Sequence, residues 1–485
     1  MLSVACDRAG QTGDDADGAD PAPAPTEQVA AAPDPGPDAT APNSGSGSGR
    51  ETGSDQDAAS DTAGDPPAPA TPAPAIVETP IEFREMGRAS MIYAEPRFGS
   101  EYRGKHQRRT VLAVFEHVEG DPECEGDGWG RVGVSAYACL EHADVVKKKR
   151  PKALPRVSPG MLTPFHYARV PKNATVMPPR WASRAALRSG AEPIDTLEKE
   201  HDYAYVMRRF VSGHGPVYTD GSFRAVRERD VSPLRPSKYH GHDVRAHPLR
   251  DDAKPAWSVV WRYAAVREKP DEDAKEVGRV LHQQLVYIDD EPKGSGRYPW
   301  YPTADGRGWV WGKEVRKLDL LEPPAEVTDD QVWLDVDLDQ QMMSVRRGES
   351  IEFVTLIASG SHKHPTPPGL YRITSKMAYS DMRSRPGDPA DEAYYVEAVP
   401  WVMYFDGRYA LHGTFWHNRF GNRTSHGCVN LSASDARRIF DLVEPKMPDG
   451  WISVYEHRDA PGTLLRVRKG LEHPEDRRDK LSPPA

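Results

Sequence analysis

The clearest alternation of apolar and polar positions lies in the last third of the chain. Residues 332–338 alternate, which predicts a strand with one buried face. Residues 353–358 are apolar enough to predict a strand at the centre of a sheet. Residues 399–405 lead through Asp406-Gly407, a hairpin-turn signal, into residues 409–412. We therefore expect this part of the chain to be mainly β.

A short helix is predicted after these strands. Ser432 and Asp435 have the spacing of a capping box at a helix start. The apolar positions that follow share one helical face: Ala436, Ile439, Phe440 and Val443. Pro445 ends the helix, and residues 451–455 predict a last strand. A folded unit is thus expected over residues 331–457, followed by a charged, frayed tail at residues 458–485.

Short alternating runs with glycine-rich turns precede this unit, and such runs predict small β-barrels. Residues 83–150 and 251–325 each carry the pattern, whereas residues 151–250 are expected to be a degenerate or linking module. In the first module the order IYAEP, TVLAVFE, GDGWGRV, AYAC resembles the bacterial SH3-like fold found in cell-wall enzymes. Most of the aromatic residues in these modules are expected in their cores.

Residues 1–82 have a different composition, dominated by Asp, Ala, Pro, Gly, Ser and Thr, with no aromatic residue. Such a segment buries too little apolar area to offset its ordering entropy, so we predict a disordered tether or an inert tail. Its first six residues, MLSVAC, resemble the end of a bacterial lipoprotein signal in which Cys6 would be lipidated. The charged and apolar regions that usually precede that cysteine are missing from the sequence.

Composition narrows the functional classes. The chain has 485 residues, enough for several domains, and its mean hydropathy is −0.69. No run approaches the roughly 18 apolar residues of a membrane helix. The net charge is −10, but residues 7–75 hold thirteen acidic residues and two arginines, so the remainder is nearly neutral. The folded part therefore shows no basic excess that would indicate nucleic-acid binding.

The four cysteines are Cys6, Cys124, Cys139 and Cys428. Cys124 and Cys139 lie close together in one predicted module, and we expect them to form a disulfide that leaves Cys428 free. A structural disulfide suits an oxidising envelope compartment.

Candidate chemistry concentrates in residues 412–430, HGTFWHNRFGNRTSHGCVN. A thiol reacts as its thiolate, and an imidazole near Cys428 would lower the thiol pKa and accept its proton. An inert buried thiol is one alternative. A zinc site is another, since His412, His417, His426 and Cys428 are all possible ligands.

The stretch resembles the L,D-transpeptidase (YkuD-type) signature. His412-Gly413 matches its first half and residues 425–430, SHGCVN, its second half. Upstream, residues 366–373, TPPGLYRI, match a further element of that family. The resemblance implies a β-sheet or β-sandwich catalytic domain, with Cys428 as nucleophile and His412 as base.

The resemblance also implies the supporting residues. The carbonyl of Gly413 would orient the imidazole, and backbone N–H groups near His426, Gly427 and Cys428 would hold an oxyanion. Ser425 and Asn430 would line the substrate site. His417, His362 and His364 have no role in the family pattern, and we expect them to be solvated loop histidines.

By this resemblance the substrate is a peptidoglycan stem peptide, which an enzyme would cross-link through a thioester without metal or organic cofactor. The protein would act in the bacterial envelope, periplasmic and attached to a membrane only through Cys6. If water resolves the thioester, the enzyme is a carboxypeptidase. Two other classes stay open, which are a catalytically silent wall-binding protein and a zinc hydrolase.

Overall fold

A computed structural model describes residues 78–147, 150–294, 298–384 and 393–474. The expectations for Cys6 and for most of the tether fall outside these residues. In the described part the protein is mostly β, with two helices and a short 3₁₀ turn. Neither helix has the length or the apolar character that crossing a bilayer requires.

The first module, through residue 147, contains eight strands. They are β1 (Glu82–Met86), β2 (Ser90–Tyr93), β3 (Tyr102–His106), β4 (Val111–Val114), β5 (Glu116–Val118), β6 (Trp129–Gly133), β7 (Ala136–Cys139) and β8 (Ala143–Val145). Strands β4, β1 and β8 form a small sheet, and the others join a much larger one. Cys124 and Cys139 form a disulfide in this module.

The second module is also built of short strands. Its elements are β9 (His166–Arg169), β10 (Pro179–Arg180), α1 (Arg184–Arg188), β11 (Asp195–Thr196), β12 (His201–Tyr205), β13 (Met207–Val211), β14 (Gly215–Thr219), β15 (Ala225–Arg227), a 3₁₀ turn (Glu228–Asp230), β16 (Ser232–Leu234) and β17 (His242–Asp243).

The third module has its own apolar core, between one sheet of three strands and one of four. Its strands are β18 (Lys254–Ser258), β19 (Tyr263–Arg267), β20 (Glu276–Leu281), β21 (Leu285–Ile288), β22 (Trp300–Pro302), β23 (Trp309–Trp311) and β24 (Val315–Lys317).

The C-terminal region contains the longest strands. Its elements are β25 (Val332–Asp337), β26 (Met342–Arg347), β27 (Ser350–Leu356), β28 (Gly369–Arg372), β29 (Ser375–Arg383), β30 (Tyr395–Asp406), β31 (Tyr409–Thr414), β32 (Val429–Ser432), α2 (Ala433–Leu442), β33 (Trp451–Tyr455) and β34 (Leu464–Arg468). Its apolar core includes residues from β25, β30, β31 and α2. Ser432 caps α2 by accepting from the Asp435 N–H at 3.2 Å.

One large sheet runs from the second module through the C-terminal region into the first. Strand β12 pairs in parallel with β30, and β3 pairs antiparallel with β33. Trp451 and Val454 of β33 are buried in the same apolar cluster as residues of the first module. The region that the sequence marked off at residues 331–457 thus shares its sheet and part of its core with two preceding modules.

The prediction of a frayed tail after residue 458 is wrong for residues 464–468. Strand β34 lies between β25 and β28 in a six-stranded sheet. Its charged side chains are buried because they are paired. Arg466 and Arg468 both bind Asp335, and Arg468 also binds Asp337 at 2.8 Å. Without these ion pairs, burying the two arginine charges in the sheet interior would cost too much free energy.

Candidate active site

Two adjacent parallel strands bring the candidate nucleophile and base together. In the register of β31 and β32, Leu411 is opposite Val429 and His412 is opposite Asn430. Cys428 directly precedes Val429, the first residue of β32, and Asn430 and His412 face the same side of the sheet. That side opens into a cleft of about 850 Å³, which all three residues line.

Cys428 is accessible from this cleft, since its side chain is only partly buried. Its thiol donates to the Arg408 carbonyl at 3.7 Å. Burial raises the thiol pKa to about 11. The expectation that a nearby imidazole lowers this pKa is therefore wrong for the free protein, where the sulfur is a neutral thiol at pH 7.

His412 is almost fully buried, at 2% exposure. Its Nδ1 lies 3.3 Å from the Gly413 carbonyl, and the Trp416 ring stacks 5.8 Å away. Burial lowers the imidazole pKa to about 4, so the ring is neutral at pH 7. An imidazole whose Nδ1–H donates to a carbonyl leaves Nε2 as the atom that accepts a proton.

The turn before Cys428 is held by hydroxyl groups. The Ser425 hydroxyl donates to the Cys428 carbonyl at 2.6 Å and accepts from the Gly427 N–H at 3.1 Å. The Thr366 hydroxyl donates to the Gly427 carbonyl at 2.7 Å, which ties the TPPG segment to the turn. Gly427 has φ +119°, and a Cβ there would lie 2.4 Å from the Tyr409 ring. Glycine is therefore required at this position.

His417 lies in a loop, as expected, but its side chain is partly buried and hydrogen-bonded rather than solvated. Its Nε2 lies 3.0 Å from the side-chain amide of Asn430, and its Nδ1 accepts from the Arg419 N–H at 3.1 Å. Burial lowers the His417 pKa to about 4. At the other end of the amide, the buried Asn430 Oδ1 position has no hydrogen-bond partner among the described residues. The sequence did contain a signal for a role of His417, because this residue lies inside the motif at residues 412–430.

The remaining motif histidines lie at the mouth of the cleft. His426 is exposed, and its ring centroid is 4.8 Å from that of His364 and 4.9 Å from that of Tyr394. His364 lies in a loop, as expected, and is partly exposed while lining the cleft, and His362 is exposed. Across the described ranges, no group of three or more His, Cys, Asp or Glu side chains could hold a metal ion.

One wall of the cleft comes from the second module, which the sequence had indicated as degenerate or linking. Arg169, Lys172, Lys199 and Asp202 all line it. Nothing in their spacing indicates this position, because it depends on the parallel pairing of β12 with β30.

A comparison with known protein families matches the region that contains this site. Residues 331–456 match the model of the YkuD family, the L,D-transpeptidase catalytic domain. This region is a YkuD-type L,D-transpeptidase catalytic domain. The match covers β25 to β33 and ends before β34, although β34 completes the six-stranded sheet.

Several solved L,D-transpeptidases align with the chain. The E. faecium catalytic domain is 23% identical, over 29% of this chain and 98% of its own, with a TM-score of 0.23. The Mycobacterium smegmatis enzyme is 20% identical, over 43% and 99%, with a TM-score of 0.24. L,D-transpeptidase 3 from Mycobacterium tuberculosis is 16% identical, over 43% and 95%, with a TM-score of 0.23. At these values the alignments assign no residue a role. No curated protein matches the chain.

Proposed function

We propose that this protein is a cysteine-dependent L,D-transpeptidase that cross-links or modifies peptidoglycan stem peptides. The observation that carries the proposal is that His412, on β31, and Cys428, directly before the paired strand β32, line one open cleft. The family match of residues 331–456 supports the same reaction class.

In the proposed reaction the thiol leaves the Arg408 carbonyl and attacks the carbonyl carbon of the L-centre, next to the terminal D-residue of a stem. His412 Nε2 takes the thiol proton as the carbon–sulfur bond forms. Backbone N–H groups near His426, Gly427 and Cys428 stabilise the oxyanion. The carbon–nitrogen bond then breaks, and the imidazolium protonates the departing amine.

The thioester that remains is resolved by a second nucleophile. An amine of another stem attacks the thioester carbonyl, His412 accepts its proton, and the sulfur leaves and is reprotonated. The product is a cross-link, whereas resolution by water would make the enzyme an L,D-carboxypeptidase. A neutral thiol and a neutral imidazole suit this series of steps, because the charge that each gains exists only during the reaction.

The test is formation of cross-linked muropeptides from purified tetrapeptide donors, read by mass spectrometry. Cys428→Ala should abolish the product, and His412→Ala should do nearly the same because the pair acts as a unit. A carbapenem should add its mass to the peptide that contains Cys428. Unchanged product from Cys428→Ala would defeat the proposal, and binding to sacculi without turnover would favour the silent wall-binding protein.

The proposal places the enzyme in the bacterial cell envelope, on the periplasmic side. The SH3-like modules would add contacts to the wall, and a lipid on Cys6 would attach the chain to a membrane. Mass analysis of the N-terminal peptide from cells tests the lipid, and sacculus binding by the full chain carrying Cys428→Ala tests the wall contacts.

A further inference from the structure

The second module is fixed firmly against the catalytic sheet. The Tyr395 N–H donates to the Glu200 carbonyl at 3.2 Å, beside the paired strands β12 and β30. Tyr167 stacks on Phe415 with ring centroids 3.4 Å apart, and its hydroxyl donates to the Ala398 carbonyl at 2.7 Å. The cleft wall that this module supplies is therefore a built part of the site.

Positive and negative side chains on this wall of the cleft do not balance. Arg169 donates through Nε and Nη2 to the two carboxylate oxygens of Asp202, at 2.7 and 2.6 Å, so these two charges offset each other. Lys172 and Lys199 line the same cleft and are exposed. Neither lysine has an acidic partner among the residues that the structure describes. Of the acidic residues lining the cleft, only Glu200 stands outside the ion pair.

We propose that Lys172 and Lys199 form a carboxylate-binding subsite that the second module adds to the catalytic cleft. Its ligand is a free carboxylate of the peptide substrate. The inference rests on the proposed function, since a stem that ends in a D-amino acid carries such a carboxylate. Two exposed ammonium groups bind a carboxylate mainly by charge, so their effect falls on binding and is screened by salt.

The test compares an acidic stem peptide with its fully amidated counterpart, in which every carboxyl group is a carboxamide. In the full chain, Lys172→Ala/Lys199→Ala should raise KM for the acidic peptide about three- to tenfold and leave kcat nearly unchanged. KM for the amidated peptide should stay the same. Wild type should prefer the acidic peptide to the amidated one. Lys172→Glu/Lys199→Glu should reverse this preference, and about 1 M salt should abolish it.

Matched controls separate this subsite from general charge and from folding. Lys269→Ala/Lys275→Ala removes two exposed lysines of the third module and should change neither KM. Alkylation of Cys428 by iodoacetamide, a neutral reagent, should proceed at the same rate in all these variants. Equal KM values for wild type and the Lys172/Lys199 variants on both peptides would overturn the subsite while leaving the transpeptidase proposal intact.

Binding measured without turnover keeps the two proposals separate. On the Cys428→Ala protein, fluorescence anisotropy should show that the labelled acidic peptide binds about three- to tenfold more tightly than the labelled amidated peptide. If wild type formed no cross-link but bound the acidic peptide through these lysines, the transpeptidase proposal would fail and the subsite would stand. Equal binding of both peptides would overturn the subsite.

Discussion

His417 and Asn430 form a hydrogen-bonded pair that fixes the state of both side chains. Because Nδ1 of His417 accepts from the Arg419 N–H at 3.1 Å, the proton of the neutral ring is on Nε2. Nε2 then donates across 3.0 Å, so the atom of Asn430 that faces it is the amide oxygen. The amide nitrogen consequently takes the other position, which is buried. This N–H group is thus buried within a residue that lines the cleft.

Because Asn430 lines the cleft, we expect the orientation of its amide to affect the reaction. Asn430→Ala should lower kcat roughly 100-fold, the scale for removing a donor aimed at developing charge. His417→Ala frees the amide to rotate and should cost about tenfold, less than loss of the amide itself. His417→Gln should recover most of the activity, since its amide N–H can still donate to Asn430. Single-turnover acylation measures each variant, and a wild-type rate in His417→Ala would refute the pairing role.

The protonation state of Cys428 predicts how its alkylation depends on pH. Since burial raises its pKa to about 11, the thiolate fraction should increase about tenfold per pH unit below that value. The rate of iodoacetamide alkylation should therefore keep rising from pH 6 to 10. Peptide mass mapping distinguishes Cys428 from Cys6, and Cys428→Ser provides the background. A rate that levels off near pH 7 would show that the thiol is already activated in the free protein.

The shared sheet predicts that the catalytic region depends on its neighbours. Residues 331–474 by themselves would expose the buried Trp451 and the edge of β33 that pairs with β3. We expect this fragment to aggregate or to unfold at lower temperature than residues 78–474. Calorimetry and dye binding measure the difference, and an equal Tm for both would contradict the expectation.

A single substitution probes the same junction in the full chain. A Cβ at Gly104 would lie 2.4 Å from both the Ser453 carbonyl and the Trp451 ring. Gly104→Ala must therefore shift β3 from β33 and should cost about 1–3 kcal/mol of unfolding free energy. Gly278→Ala is the matched control, because its Cβ would meet Val266 at an ordinary 3.5 Å. Urea unfolding compares them, and equal losses would place the cost elsewhere.

The disulfide predicts a stability effect separate from catalysis. Cys124 and Cys139 are 15 residues apart, and closing a loop of that length contributes about 3 kcal/mol. Cys124→Ser/Cys139→Ser should lower the urea midpoint by a corresponding amount, and reductant should do the same to wild type. Alkylation of Cys428 should be unchanged under native conditions. A variant as stable as wild type in both tests would show that the bridge is dispensable.

Local patterns in the sequence were sufficient for several features. Alternation predicted β25, an apolar run at residues 353–358 predicted β27, and the Ser432 cap with its apolar face predicted α2. These features depend on residues only a few positions apart, so a short stretch of sequence is enough to predict them. The motif at residues 412–430 likewise indicated the chemistry, because its residues act where two short chain segments meet.

Tertiary structure decided what depends on distant partners. Strand β34 is buried because Arg466 and Arg468 find Asp335, more than a hundred positions away. Lys172 and Lys199 reach the cleft because β12 pairs with β30, and strand composition does not specify a parallel partner. The raised pKa of Cys428 is set by the groups packed around it after folding. The sequence by itself determined the reactive groups, and only the folded chain determined their protonation and the walls around them.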